Sequence, residues 1–364
     1  MRKVLMFIFG IILGFILGGL LMYGYWVYQD YMLEKNANEI YMQDECYQYH
    51  YAQLTSKQQM AYKKIYYCIK NRMDCVMVDV VDVKETEKIY YSVIDDHPEF
   101  YYVLSSFDYI ENDRFIIFPD YSYTQDEINE VDQKITDKTD MIINKTKELN
   151  NIEKIKTIYQ YIIDITDYKR NTDDQNIKSV FIENESVCAG YARAYQYLLN
   201  KAGIDASYMG GKAVDNNEGH AWVMISLDNH YYYSDPTWGD IVTAGMEHSC
   251  YAYFMMSSDE MLNYYIPDTN YEITLDGSYH YFKDVGCYME EYDKSIVDKA
   301  VKLGLSNKSR VAEIRCADKK VFERLKREIE NNYLGYYVLK SNGCYSDESK
   351  YLCDEKTLMV ELYY

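Results

Sequence analysis

Cys188, His220 and Asp235 are residue types that together carry out nucleophilic acyl transfer. A thiolate attacks a carbonyl carbon. An imidazole takes and returns the proton. A carboxylate fixes the ring's orientation and tautomer. Each residue alone has a plainer reading, because a single Cys is more often a small core residue. Their order and surroundings give them chemical content.

The elements that must hold them can be read from spacing. In the stretch SVCAGYARAYQYLLNKAGI, Ala192, Tyr195, Leu198 and Leu199 recur at helical spacing, and Gly203 is a natural terminator. Cys188 then falls in the first turn of a buried helix. Unpaired backbone N–H groups and the positive dipole end lie there, and both favour a thiolate. Its backbone N–H would also help hold an oxyanion. Downstream, GHAWVMISLDNHYYYSDPTWGD reads as two strands around a turn. Ala221 to Leu227 and Tyr231 to Asp235 alternate, and Asp228-Asn229 suits a two-residue hairpin loop. With that loop, paired positions add to 457, so Asp235 faces Trp222 and becomes the diagonal neighbour of His220 on the same face. A three-residue loop would put the two on opposite faces.

These blocks resemble the transglutaminase-like superfamily of papain-type cysteine enzymes. The matching text is VCAGYARAYQYLLNKAGI, GHAWVMI and YYYSDPTWGD, in that order, covering roughly residues 150–245. Cys188, His220 and Asp235 match the family's nucleophile, base and orienting acid. Gly190, Tyr191 and Ala192 match the small/aromatic signature after the nucleophile. Trp222 follows the His, and Trp238 closes the D-x-T-W ending; the resemblance implies that both line the substrate site. Val223 and Gly239 depart from the pattern, where many bacterial members carry Asn and an acid. Those departures bear on substrate preference. Tyr168 is a candidate for the side-chain donor that completes an oxyanion hole. More loosely, DDHPEFYYV and the preceding helices look like the N-terminal extension of exported bacterial members.

The resemblance implies an α+β fold: a nucleophile at a helix N-terminus packed against an antiparallel sheet. It implies a cysteine peptidase, amidase or transglutaminase acting on protein or peptide amides through a Cys188 thioester. Some relatives on such folds lose triad residues, so the alternative is a non-catalytic binding or scaffold protein of the cell envelope.

Composition sets the setting. The 364 residues carry a formal charge of -20, which argues against a polyanionic partner such as nucleic acid. Val4 to Tyr28 is a 25-residue run without a charge, long enough to span about 30 Å of hydrocarbon. Arg2 and Lys3 precede it and aromatic residues close it, which predicts a cytoplasmic N-terminus and an extracytoplasmic body. The competing reading is a cleaved signal peptide. Nine cysteines leave at least one unpaired if the others bridge, and Cys188 is the one that must stay free. Cys68/Cys75 and Cys344/Cys353 are candidate local bridges; buried reduced thiols are the alternative. His50, His97, His230, His248 and His280 form no HxxxH or HExxH pair, and no CxxC occurs, so neither a metal nor a cofactor is expected.

Four regions follow: an anchor over 1–28, a mainly helical extension over 29–149, the catalytic core over 150–275, and a small α/β unit over 276–364. In the extension, Phe100 to Leu104 and Arg114 to Phe118 read as strands, with Pro119 breaking the chain. In the last region YYVLKS and TLMVELYY read as strands. Gly210-Gly211 reads as a strand-end turn.

Overall fold

A computed structural model describes the chain except residues 1, 42–46, 81, 112–113, 244–245, 269–278, 308 and 345–349, with side chains also left aside over 2–17 and 241–247. The chain divides into two compact units, Met1–Thr124 and Gln125–Tyr364.

In the first unit, helix α1 runs Arg2–Tyr41, α2 Ser56–Lys70 and α3 Val83–Asp96. They accompany a three-stranded antiparallel sheet of β1 Val76–Val78, β2 Val103–Glu111 and β3 Phe115–Tyr121, in the order β1-β3-β2. Ile65, Ile69, Ile89 and Val93, the apolar stripes expected for two of these helices, are all fully buried. Helix α3 ends at Asp96, before His97-Pro98, since the residue preceding Pro avoids helical backbone. Asp96 is buried and accepts from the backbone N–H groups of His50 and Tyr51 and from the Tyr62 hydroxyl. Pro119 does not break the chain. It lies within β3 opposite Phe107, beside a register shift in β2, where a residue without an N–H is tolerated.

Among the described residues no helix is long and apolar enough to cross a membrane. The side chains of most of the expected span, Val4–Tyr28, lie outside those residues, so the expected anchor gains no support from the fold.

The second unit carries the site. Helix α4, Gln125–Thr146, starts directly after Thr124 and buries Ile128, Ile135 and Ile142. Helix α5, Asn151–Ile165, is closed by a capping box between Asn150 and Glu153. Two short parallel strands follow, β4 Asp167–Tyr168 and β5 Glu185–Ser186. Helix α6 then runs Cys188–Lys201. Next come β6 Asp205–Ala213, β7 Gly219–Leu227, β8 His230–Ser234, the hairpin of β9 Asp240–Thr243 and β10 Met246–Ser249, and β11 Tyr265–Pro267. The central sheet is antiparallel, in the order β11-β6-β7-β8. Ala221 through Ile225 are all buried, so both faces of β7 are covered and the alternation read from its sequence is not expressed as exposure.

Gly210 and Gly211 are not a turn but lie inside β6, paired with Ala221 and His220. A β-carbon at 211 would collide with the carbonyl oxygen of Ile266 and crowd the Trp222 indole. Glycine here lets β11 approach closely.

The last part holds β12 Tyr288–Met289, α7 Lys294–Ser306, β13 Val311–Cys316, α8 Lys319–Asn332, α9 Leu334–Ser341, β14 Lys350–Asp354 and β15 Met359–Tyr363. Its sheet runs β12-β13-β15-β14. YYVLKS is helical, contrary to the strand expected. Tyr333, at φ 53°, ends α8 and lets a new helix begin, which buries Leu334, Val338 and Leu339. With Gly335 also buried, the spacings of three and four suit a helix, but six residues carry too little of the pattern to show it.

The eight cysteines other than Cys46 are all free thiols, so neither proposed local bridge is formed; Cys46 lies outside the described residues.

Candidate active site

Cys188 is the first residue of α6. The helix begins there because Val187 is extended, and Gly190 permits the tight fit of the first turn. A β-carbon at 190 would overlap the Ser186 hydroxyl. That hydroxyl is buried, 2.6 Å from the Ser179 hydroxyl, and donates to the Asp174 carbonyl at 3.0 Å. The far end is closed by Gly203 at φ 77°, as its position in the sequence implied.

The hairpin carries the other two residues. Val223 pairs with Ser234 and Leu227 with His230, the register expected for a two-residue loop. Asp228 and Asn229 both take left-handed backbone, φ 52° and 64°, as a type I′ turn requires. That register brings His220 Nε2 to 2.7 Å from Asp235 Oδ2.

Asp235 is fully buried, and both of its oxygens are engaged. Oδ1 accepts from the backbone N–H of Thr237 at 2.9 Å and of Trp238 at 3.1 Å. Oδ2 accepts from His220 and from the Tyr265 hydroxyl, also at 2.7 Å. The Asp-Pro-Thr-Trp text has a local cause. Asp235 caps a single helical turn, Pro236–Gly239, and Pro sits where its missing N–H costs nothing.

With Nε2 facing Asp235, Nδ1 is the ring nitrogen left to face Cys188. Burial alone would lower the pKa of His220. The Asp235 carboxylate and then Cys188 outweigh it and lift the ring to about 10. At neutral pH the ring is therefore an imidazolium. Tyr168 stands on β4 opposite Ser186, two residues before Cys188. Its hydroxyl is raised above the usual range by burial and then by Cys188, although the residue is 59% exposed.

Aromatic rings frame the imidazole. Tyr265 stacks on it at 5.4 Å and 12°, and on Trp222 at 4.5 Å. Trp238 lies 4.9 Å from His220. Trp222 is fully buried, so it offers no surface to a substrate and instead supports the ring from below. Trp238 remains partly exposed. Lys356, on the turn between β14 and β15, lies over the Trp238 ring at 5.1 Å and pairs with Asp215.

Gly239 has a steric reason. A β-carbon there would collide with the Tyr159 hydroxyl, which is fixed by the Cys250 carbonyl at 3.0 Å. At the next residue, Asp240 Oδ2 accepts from the Tyr191 hydroxyl at 2.7 Å. Tyr265 is the site residue that the sequence did not reveal. It is one of 44 tyrosines, and no spacing links it to Asp235.

Residues 139–236 match the family model of the transglutaminase-like superfamily. No curated protein matches the chain. Among solved structures, the chain is similar to a TGase at 13% identity and a TM-score of 0.29, over 48% of this chain and 53% of that one. It is similar to the periplasmic domain of TgpA from Pseudomonas aeruginosa at 16% identity and a TM-score of 0.24, over 34% and 56%. It is also similar to menin, described with its binding site for the Mixed Lineage Leukemia protein, at 14% identity and a TM-score of 0.25, over 61% and 58%. The chain thus spans little more than half the length of these structures. The sequence blocks, the helix-borne Cys and the hairpin-borne His and Asp all fall within or at the edge of the matched segment, and residues 139–236 are a transglutaminase-like domain.

Proposed function

We propose that this protein is a cysteine enzyme that opens amide bonds in protein or peptide substrates through a thioester on Cys188. The observation that carries this reading is the hydrogen bond from a charged His220 to the buried Asp235, with Cys188 at the start of helix α6 beside the ring. Cys188 reacts as a thiolate whose proton rests on His220, forming an ion pair; its sulfur attacks the amide carbon and an S–C bond forms. Negative charge collects on the carbonyl oxygen, which the Cys188 backbone N–H and the Tyr168 hydroxyl receive in this reading. His220 gives its Nδ1 proton to the amide nitrogen, the C–N bond breaks, and an amine leaves. Water or a second amine then attacks the thioester. His220 takes its proton and the S–C bond breaks, which regenerates the starting pair. Water as acceptor makes the enzyme a hydrolase; an amine makes it a transferase. Asp235 keeps the ring aligned throughout and Trp238 lines the substrate side.

The same reading places the enzyme on the outer side of a membrane, held by the run Val4 to Tyr28. Support comes from the uncharged length of that run and from Leu20, Leu21, Met22 and Tyr23, all exposed on α1.

The test is incubation with an amide-mimic thiol probe and with a peptide library containing Gln and Lys, read by site-resolved mass spectrometry. Cys188 should be the labelled thiol, and Cys188→Ala should abolish both labelling and peptide conversion. Labelling or turnover that survives the substitution overturns the assignment. A folded chain with no conversion and an inert Cys188 would make it a binding scaffold.

A further inference from the structure

A second group of chemically capable side chains lies away from Cys188, where the β9–β10 hairpin meets the last sheet. Cys250 follows β10 directly, and His248 lies within it. Glu313 is central in β13 and pairs directly with Glu361 on β15. The thiol and one oxygen from each carboxylate lie within 4.8 Å of one another. His248 Nε2 stands 3.5 Å from Glu361 Oε2. Cys250 and Glu361 are buried. His248 and Glu313 border a cavity of about 1010 Å³, which gives a small ion a route in.

Two acidic side chains placed directly across from each other on paired strands repel, and burial adds to the cost. A divalent cation removes both penalties, because it becomes the largest local charge and inverts the electrostatics. The cluster itself supplies one thiol and two carboxylates, and the His248 imidazole beside Glu361 would be the fourth donor, a set that suits a borderline ion. Bond lengths of about 2.0–2.3 Å in a tetrahedron put neighbouring ligand atoms roughly 3.3–3.6 Å apart. The His248–Glu361 separation falls in that range. Both carboxylates also accept a further hydrogen bond that fixes them: the Tyr251 N–H donates to Glu313 Oε1 at 2.9 Å and the Tyr363 hydroxyl donates to Glu361 Oε2.

We propose that His248, Cys250, Glu313 and Glu361 form a structural site for zinc or a like divalent ion, which ties the β9–β10 hairpin to the β13–β15 pair. Four protein ligands close the coordination sphere, so the role is to hold and not to react. On loading, Cys250 and any protonated carboxyl release their protons to solvent. Sequence spacing could not show this site, because its ligands come from positions 248, 250, 313 and 361, far from any short motif.

The experiment uses the full chain with Cys188→Ser, which removes the other thiol paired to a histidine. After loading with Co²⁺ and dialysis it should keep one equivalent. It should also show a thiolate-to-cobalt band in the near ultraviolet with the visible bands of a tetrahedral ion. Adding Cys250→Ser should abolish the near-ultraviolet band. Glu361→Gln, which keeps the thiol, should weaken binding by at least about tenfold. Should the Cys250 variant not fold, thermal unfolding decides. The melting temperature of the Cys188→Ser chain should climb with zinc concentration, and Glu361→Gln should lose that climb. Uptake well below one equivalent, a band that survives Cys250→Ser, or a climb untouched by Glu361→Gln would each overturn the site.

Discussion

The charge state of His220 governs the residue scale. The ring sits near 10, against an ordinary value near 6.5, chiefly because the Asp235 carboxylate outweighs the cost of burial. A group whose folded pKa is raised stabilises the native state fully below its unfolded value and loses that contribution as pH rises through the folded one. Conformational stability should therefore decline between roughly pH 6.5 and 10, with a steeper slope in the wild type than in His220→Gln. The proposed ion pair disappears over the same range, so the alkaline limb of kcat/KM should lie near pH 10. In Asp235→Asn that limb should move toward the ordinary histidine range, and kcat/KM at pH 7 should fall by about 10²-fold or more. A limb that stays near pH 10 would show that Asp235 does not set the proton affinity of His220. Tyr265 contributes at the same scale as a positioning residue, since its hydroxyl shares Oδ2 with His220.

At the scale of elements, close packing explains the short text around the site. Gly190 and Gly239 stand where a single β-carbon would meet a buried hydroxyl, of Ser186 and of Tyr159. Gly239→Ala should destabilise the chain by about 1–3 kcal/mol, measured as a shift in the denaturant midpoint, because Tyr159 is enclosed and cannot retreat. Gly239→Ala combined with Tyr159→Phe should recover part of the loss, since the two residues share one contact. An unchanged midpoint in the single variant would refute the packing argument.

The elements differ in how far the sequence announces them. The start of α6 and the register of the β7–β8 hairpin were legible, because a helix cap position and a two-residue turn are set within a few neighbours. The fully covered β7, the helix Leu334–Ser341 and the passage of Pro119 through β3 were not. Each depends on its surroundings: a second covering layer, a break at Tyr333, or a register shift in β2 just before Phe107. Tyr265 was hidden for the same reason, as its role comes from strand pairing about 30 residues from Asp235.

At the scale of the whole molecule, the site and the last sheet belong to one compact unit, Gln125–Tyr364. The family match ends at 236, yet the β14–β15 turn reaches the rim of the site through Lys356 above Trp238 and Tyr264. The last region is thus part of the surface a substrate would meet. Lys356→Ala should raise KM by roughly threefold to tenfold and leave kcat nearly unchanged, the signature of a contact made equally in the ground and transition states. A fall in kcat with no change in KM would place Lys356 elsewhere in the cycle.

Strand β11 has a temporal consequence. It is the edge strand of the central sheet, the one that follows the hairpin in sequence, and it delivers Tyr265 to the buried carboxylate. Asp235 can be fully engaged only once β11 has docked on β6. A nascent chain that has emerged only as far as residue 240 already holds its thiol, imidazole and carboxylate, but lacks the ring and hydroxyl that fix them.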